Sequence, residues 1–249
     1  MFLIVNADDF GMSKGVNYGI IEAHKNGIVT STTMMITMPE VNHAIELARK
    51  TPTLKMGLHL NMTLGQSLTN CQTLVNNHNM FFKPIENPDY KKFSEEEIYL
   101  EFKAQYNMFL EKVGMKPTHF DSHLYAHHIY PQAKRAIMRL ALETNLPVRD
   151  MTVNGFKDVK FFDFFKGNNG VDLSTILFEN IDLFKQQKYS ELMVHPAYVD
   201  EFLRLKSTYS YPRAQELEIL TSDEIKQALK ENNIELIGYD DERIRIWQK

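Results

Sequence analysis

Cysteine is all but missing from this sequence: Cys71 stands alone among 249 residues. No internal disulfide can form, and the chain suits a reducing compartment. Positive charge is also in short supply. A net charge of −4 sets up no basic field for a polynucleotide, which removes nucleic acid from the expected partners. No stretch approaches the roughly 18 apolar residues that a membrane-spanning helix needs. The first residues, MFLIV, run on towards acids without a basic n-region or a cleavage site. These absences lead to the expectation of a soluble, cytoplasmic protein without a membrane partner. Internal repeats, low-complexity tracts and interdomain linkers are lacking too. At this length an α/β barrel forms one domain, here 1–249, with enough core to need no covalent staple.

What is present is alternation. Phe2–Asn6 reads as a buried strand, and Ser13 opens a helix with Val16, Ile20, Ile21 and His24 on one side, closed by Gly27. A second strand is expected over Ile28–Ile36, a helix over Glu40–Lys50 stopped by Pro52, and a third strand over Lys55–Thr63. Residues 64–92 have no period and read as a long irregular excursion. Ser94 and Glu97 then form a capping box, with Phe93 and Ile98 as its hydrophobic staple, for a helix running to Gly114. THFDSH reads as a fourth strand, and Pro131 starts the next helix. Pro147–Asp150 begins a fifth strand, 154–172 is another excursion, and a helix follows over 173–187. Glu191–His195 is the sixth strand. A capping box of Thr221 and Glu224 opens a helix before IELIGY, the last strand. This order predicts a parallel sheet with right-handed crossovers. A distorted (β/α) TIM-like barrel of seven strands is favoured over an open doubly wound sheet.

The ionisable residues fall at the ends of those strands. Asp8 and Asp9 follow the first, His59 ends the third, Asp121 and His123 close the fourth, Arg149 and Asp150 lie on the fifth, and His195 ends the sixth. Carboxyl ends of strands are where parallel barrels place their active sites. Two imidazoles and a carboxylate suit a divalent ion with open positions for water and substrate. His59, His123 and one aspartate, Asp9 by preference, are the expected ligands. The ion's charge would let two adjacent carboxylates ionise together, and Asp8 would then take a proton from the attacking water. Asp121 reads either as an acceptor that orients a ligating histidine or as a turn residue. His24, His43 and His78 read as structural or surface residues, and His119 as packed. Tyr125, Tyr198 and Tyr209 are candidates to line a sugar site.

Five blocks, IVNADDFGMSKGVNYGI, GLHLN, PTHFDSH, HPAYVD and YPRAQELEILTS, occur in an order that resembles the YdjC-like carbohydrate deacetylase family. The nearest likeness is to its chitooligosaccharide deacetylases. The resemblance implies a distorted barrel, a divalent metal described as magnesium, and removal of acetyl groups from N-acetylated sugars. It places the metal ligands on Asp9, His59 and His123, a catalytic carboxylate on Asp8 and a catalytic histidine on His195. It also implies a homodimer. The two imidazoles lean towards zinc instead. HLYAHHIYP is one residue longer than the family's pattern, so His127 and His128 compete for its last histidine; the spacing to Pro131 favours His128. Asp121, Tyr125, His128 and Arg149 are expected to touch substrate. The rival readings are a metal-dependent phosphoesterase on the same barrel and a non-catalytic sugar- or metal-binding protein.

Overall fold

Nine consecutive residues from Phe2 to Phe10 form the strand β1, and all but the first are buried. Such burial on both faces is what a parallel sheet covered by helices demands. The computed structural model describes residues 1–83, 89–165 and 172–246. From β1 the chain passes through α1 (Lys14–Lys25), β2 (Ser31–Met34), α2 (Val41–Arg49) and β3 (Lys55–Leu60). Next come α3 (Glu95–Val113), β4 (Phe120–Ser122), α4 (Ala126–Ile129), α5 (Pro131–Thr144) and β5 (Lys160–Phe162). Helices α6 (Leu173–Glu179) and α7 (Ile181–Lys185) lead to β6 (Tyr189–Val194). The chain closes with α8 (Glu201–Lys206), α9 (Tyr211–Thr221), α10 (Asp223–Glu231) and β7 (Glu235–Leu236).

The strands order as β4-β3-β2-β1-β6-β5, with β7 on β1, and every ladder is parallel. β7 pairs with Phe2 and Leu3 at the start of β1, whereas β2 pairs from Asn6 onward. The sheet curls into a half-barrel. Among the described residues no ladder joins β4 to β5, so the barrel is open there. One large apolar cluster from Leu3 to Ile234 fills the space between sheet and helices.

Several expectations shift. The fifth strand is not Pro147–Asp150, which contributes only isolated bridges from Val148, to Phe120 and to Met151. It is Lys160–Phe162, inside the stretch expected to be irregular, because β6 offers a free edge for it to pair with. Residues 84–88 and 166–171 of the two excursions lie outside the described residues. α10 is capped by Ser222, whose hydroxyl accepts from Ile225 N–H. Thr221 ends α9 and donates back to Leu217 O. Helices α8 and α9 lay outside the expected pattern altogether. The capping box of α3 is relayed: Ser94 accepts from Glu97 N–H, but Glu97 holds Thr73, whose hydroxyl accepts from Ser94 N–H. That relay ties residues 64–83 to α3, as does Glu101, which accepts from Leu68 and Thr69.

Candidate active site

Asp8 and Asp9 lie within β1, not beyond it. Period-2 alternation would send neighbouring side chains to opposite faces of the sheet. Asn6 and Asp8 obey it: Asn6 Nδ2 donates to Asp8 Oδ1 at 2.9 Å. Asp9 does not, because its φ is +73° and the register to β2 slips between Ala7 and Phe10. Aspartate tolerates this left-handed conformation better than most residues. The kink brings both carboxylates to one end of the sheet.

Each carboxylate has its own arginine. Arg149 forks onto Asp8, with Nη1 and Nη2 each 2.7 Å from an Asp8 oxygen. Arg213, on α9, donates from Nη2 to Asp9 Oδ2 at 2.6 Å. Burial would raise Asp8, but the Arg149 guanidinium overrides it and holds the carboxyl well below its ordinary value. Burial likewise opposes the Arg213 and His123 charges at Asp9, which win and hold it low. Two guanidinium groups, rather than an ion alone, therefore let adjacent carboxylates stay ionised. Arg213 was not singled out from the sequence. Its signal was an arginine and a glutamate, Arg213 and Glu216, one turn apart on an otherwise apolar helix face.

Asp9 Oδ1 lies 3.0 Å from His123 Nδ1 and 3.5 Å from His59 Nε2. It is buried and takes part in no hydrogen bond of proper geometry. His59 Nδ1 bonds Asp121 Oδ1 at 2.7 Å, which leaves Nε2 turned towards Asp9. Burial lowers His59, but Asp121 and Asp8 outweigh it and push it up to about 9. The pocket thus favours positive charge between these three side chains. An orphaned carboxylate oxygen, two imidazoles and a carboxylate orienting one of them form a donor set that fits a divalent ion. Asp9, His59 and His123 bring one ligand atom each within 4.8 Å of one another.

His195, just past β6, faces the same cluster. Burial first, then Arg213, hold its imidazole down to about 4, so it is neutral at pH 7. The backbone N–H of His195 donates to Glu216 Oε2, and its ring meets Tyr209 edge-on with centroids 5.7 Å apart. Tyr209 in turn donates to Glu216 Oε1 at 2.6 Å. The loop carrying His195 is stitched to α1: Tyr198 N–H donates to Gly15 O and Gly15 N–H to Asp200 Oδ2. A Cβ at Gly19 would sit 2.4 Å from Ala197 Cα, so only glycine permits this approach.

His127 is locked, with Nδ1 on Ser122 Oγ and Nε2 on Arg149 O. His128 stands on the rim, bonded to Asp150 and stacked near Phe161. Tyr125 is partly buried there and donates to Asp163. His119 is packed, as expected, its ring stacked on Tyr239. Asp121 and Arg149 differ from the expectation of substrate contact. Asp121 is 0% and Arg149 2% exposed, and their polar atoms are committed to Thr33, His59, Asp8, Glu191 and each other. They act from beneath the site.

A curled parallel sheet with an acid–imidazole cluster at the carboxyl ends of its strands defines a barrel-type enzyme. The profile of the YdjC-like protein family matches residues 2–231. A carbohydrate deacetylase 2 of Listeria innocua serovar 6a is 47% identical, covering 97% of this chain and 98% of that one. A chitooligosaccharide deacetylase of Yersinia enterocolitica is 39% identical over 96% of this chain and 98% of its own. A crystal structure from Enterococcus faecalis V583, provisionally named a cellobiose-phosphate cleavage protein, superposes with a TM-score of 0.88 at 32% identity, covering 98% of this chain and 99% of that one. The chain belongs to the YdjC-like family and is an enzyme among relatives curated as carbohydrate deacetylases.

Proposed function

We propose that the protein is a metal-dependent carbohydrate N-deacetylase that releases acetate from an N-acetylated oligosaccharide of the chitooligosaccharide type. The observation that carries this reading is the orphaned Asp9 Oδ1 between the His59 and His123 rings. Asp9, His59 and His123 would hold the ion. A divalent ion there supplies a Lewis acid for the acetyl group and lowers the pKa of water towards about 7. Asp8 would accept the proton of the attacking water, and Arg149, forked onto both of its oxygens, would fix its direction. His195, beside Asp8 and Asp9, would stand on the side of the leaving nitrogen. It starts neutral; it would take up the proton that Asp8 removes from the water and pass it to the departing sugar amine, so that Asp8 is returned to its carboxylate form. The donor set favours zinc or a similar transition ion, while the family resemblance favours magnesium. Cytoplasmic location and a homodimer complete the reading.

A phosphoesterase loses support from the same geometry. Phosphate chemistry draws on cationic side chains or a second metal, and the charges of Arg149 and Arg213 are already balanced by Asp8 and Asp9, although Arg213 Nη1 has no hydrogen-bond partner. The direct test is acetate release from di-N-acetylchitobiose by metal-reconstituted protein, with Asp8→Asn as control. Acetate from the parent and a loss of about 10²–10⁴-fold in the variant are expected. No acetate with zinc, magnesium, manganese or cobalt would remove this substrate class.

A further inference from the structure

Arg149 fixes Asp8, and two further residues fix Arg149. Its Nε–H donates to Glu191 Oε1 at 2.8 Å, while Nη1 and Nη2 fork onto Asp8. The other oxygen of Glu191, Oε2, accepts from the Tyr239 hydroxyl. Tyr239 lies flat on His119, with ring centroids 3.7 Å apart and planes 13° from parallel. Glu191 is 0% and Tyr239 2% exposed. Tyr239 also lies past residue 231, where the family match ends.

A guanidinium is planar, and its donors form a rigid fork. Once Nε is held, the direction in which the Nη pair points is set; unheld, a long arginine side chain samples many rotamers. Charge balance does not call for Glu191. Asp8 already pairs with Arg149, and Asp121 Oδ2 lies 3.0 Å from Nη1. A third buried carboxylate on one guanidinium is unfavourable, and burial pushes Glu191 up to about 7. Packing alone would be served as well by an apolar residue of the same size.

We propose that Glu191 and Tyr239 are positioning residues: a buried string from Tyr239 through Glu191 to Arg149 aims the guanidinium at Asp8. The C-terminal segment thereby sets the orientation of the proton-accepting carboxylate. This rests on the reading of Asp8 as that acceptor.

Two measurements test it on the metal-reconstituted enzyme: steady-state kinetics, and exchange of the Arg149 Nε–H by NMR of ¹⁵N-arginine-labelled protein. Tyr239→Phe keeps the ring on His119 and removes only the hydroxyl. It is expected to lower kcat about tenfold with KM within about twofold, since small misplacements of catalytic groups have large effects. Glu191→Leu should lower kcat about 100-fold, and Glu191→Gln, which keeps an acceptor for Nε, should regain most of it. Nε–H exchange should quicken in Tyr239→Phe and further in Glu191→Leu. Parental kcat in both variants, or a fall in kcat without faster exchange, overturns the proposal. If the parent releases no acetate, the deacetylase reading fails on its own. The exchange rates then decide alone: faster exchange upholds the string, and unchanged exchange overturns it.

Discussion

His59 and Asp121 face each other as register partners on neighbouring strands β3 and β4, with Nδ1 2.7 Å from Oδ1. The carboxylate fixes the ring and leaves Nε2 for the side of the pocket where Asp9 stands. Asp121 thus orients the imidazole proposed to ligate the ion, an arrangement whose loss weakens metal sites. Asp121→Asn should lower the affinity for zinc or magnesium about 10–100-fold, read by isothermal titration calorimetry on apo-protein. Unchanged affinity would show that His59 needs no such support.

Arg213 and Asp9 form a pair whose side chains are only 5% and 2% exposed. Removing one partner of such a pair leaves a buried charge uncompensated, at about 3–5 kcal/mol. Arg213→Leu should therefore lose about that much stability in urea denaturation with chelator present. Lys226→Ala, which breaks a pair with an aspartate 97% exposed, should change it by less than about 1 kcal/mol. Equal effects would mean that the arginine contributes packing alone.

The close approach of α1 to the loop after β6 depends on Gly19. Gly19→Ala places a methyl 2.4 Å from Ala197 Cα, and overpacking of this kind costs about 1–3 kcal/mol. Because Ala197 is two positions from His195, kcat should fall as well. Differential scanning calorimetry and acetate release would read both; a parental melting temperature would mean that α1 can shift without penalty.

Glu216 gives the fold a pH dependence. Burial pushes its carboxyl from 4.5 to about 7, against the His195 N–H and the Tyr209 hydroxyl. The folded protein keeps a proton that the unfolded chain has already released. This stabilisation is complete below pH 4.5 and is lost as pH rises through 7. His195, held from 6.5 down to about 4, acts in the opposite sense, its contribution being lost as pH falls below 6.5. The glutamate's contribution falls between pH 4.5 and about 7, and above pH 6.5 His195 no longer offsets it. Glu216→Gln should therefore gain melting temperature relative to the parent at pH 8 compared with pH 5. A constant difference across that range would show that Glu216 titrates normally.

The sequence by itself determined the order of most elements, because their signals are local. Ser13 and Ser94 cap their helices as read, Gly114 takes the left-handed position that ends α3, and Pro131 begins α5. Asp8, Asp9, His59, His123 and His195, which the fold gathers into the candidate site, could be picked out because each lies at or near the carboxyl end of an expected strand. Tertiary structure decided the rest. Lys160–Phe162 became a strand only because β6 presented an open edge, and Asp9 reached the site only through its positive φ. The partners of the two aspartates were beyond local reading: Arg149 stands 141 residues from Asp8 and Arg213 stands 204 from Asp9. Hydrophobic period and capping act within a few residues, whereas charge compensation acts through space, and the fold alone chooses which arginine meets which aspartate.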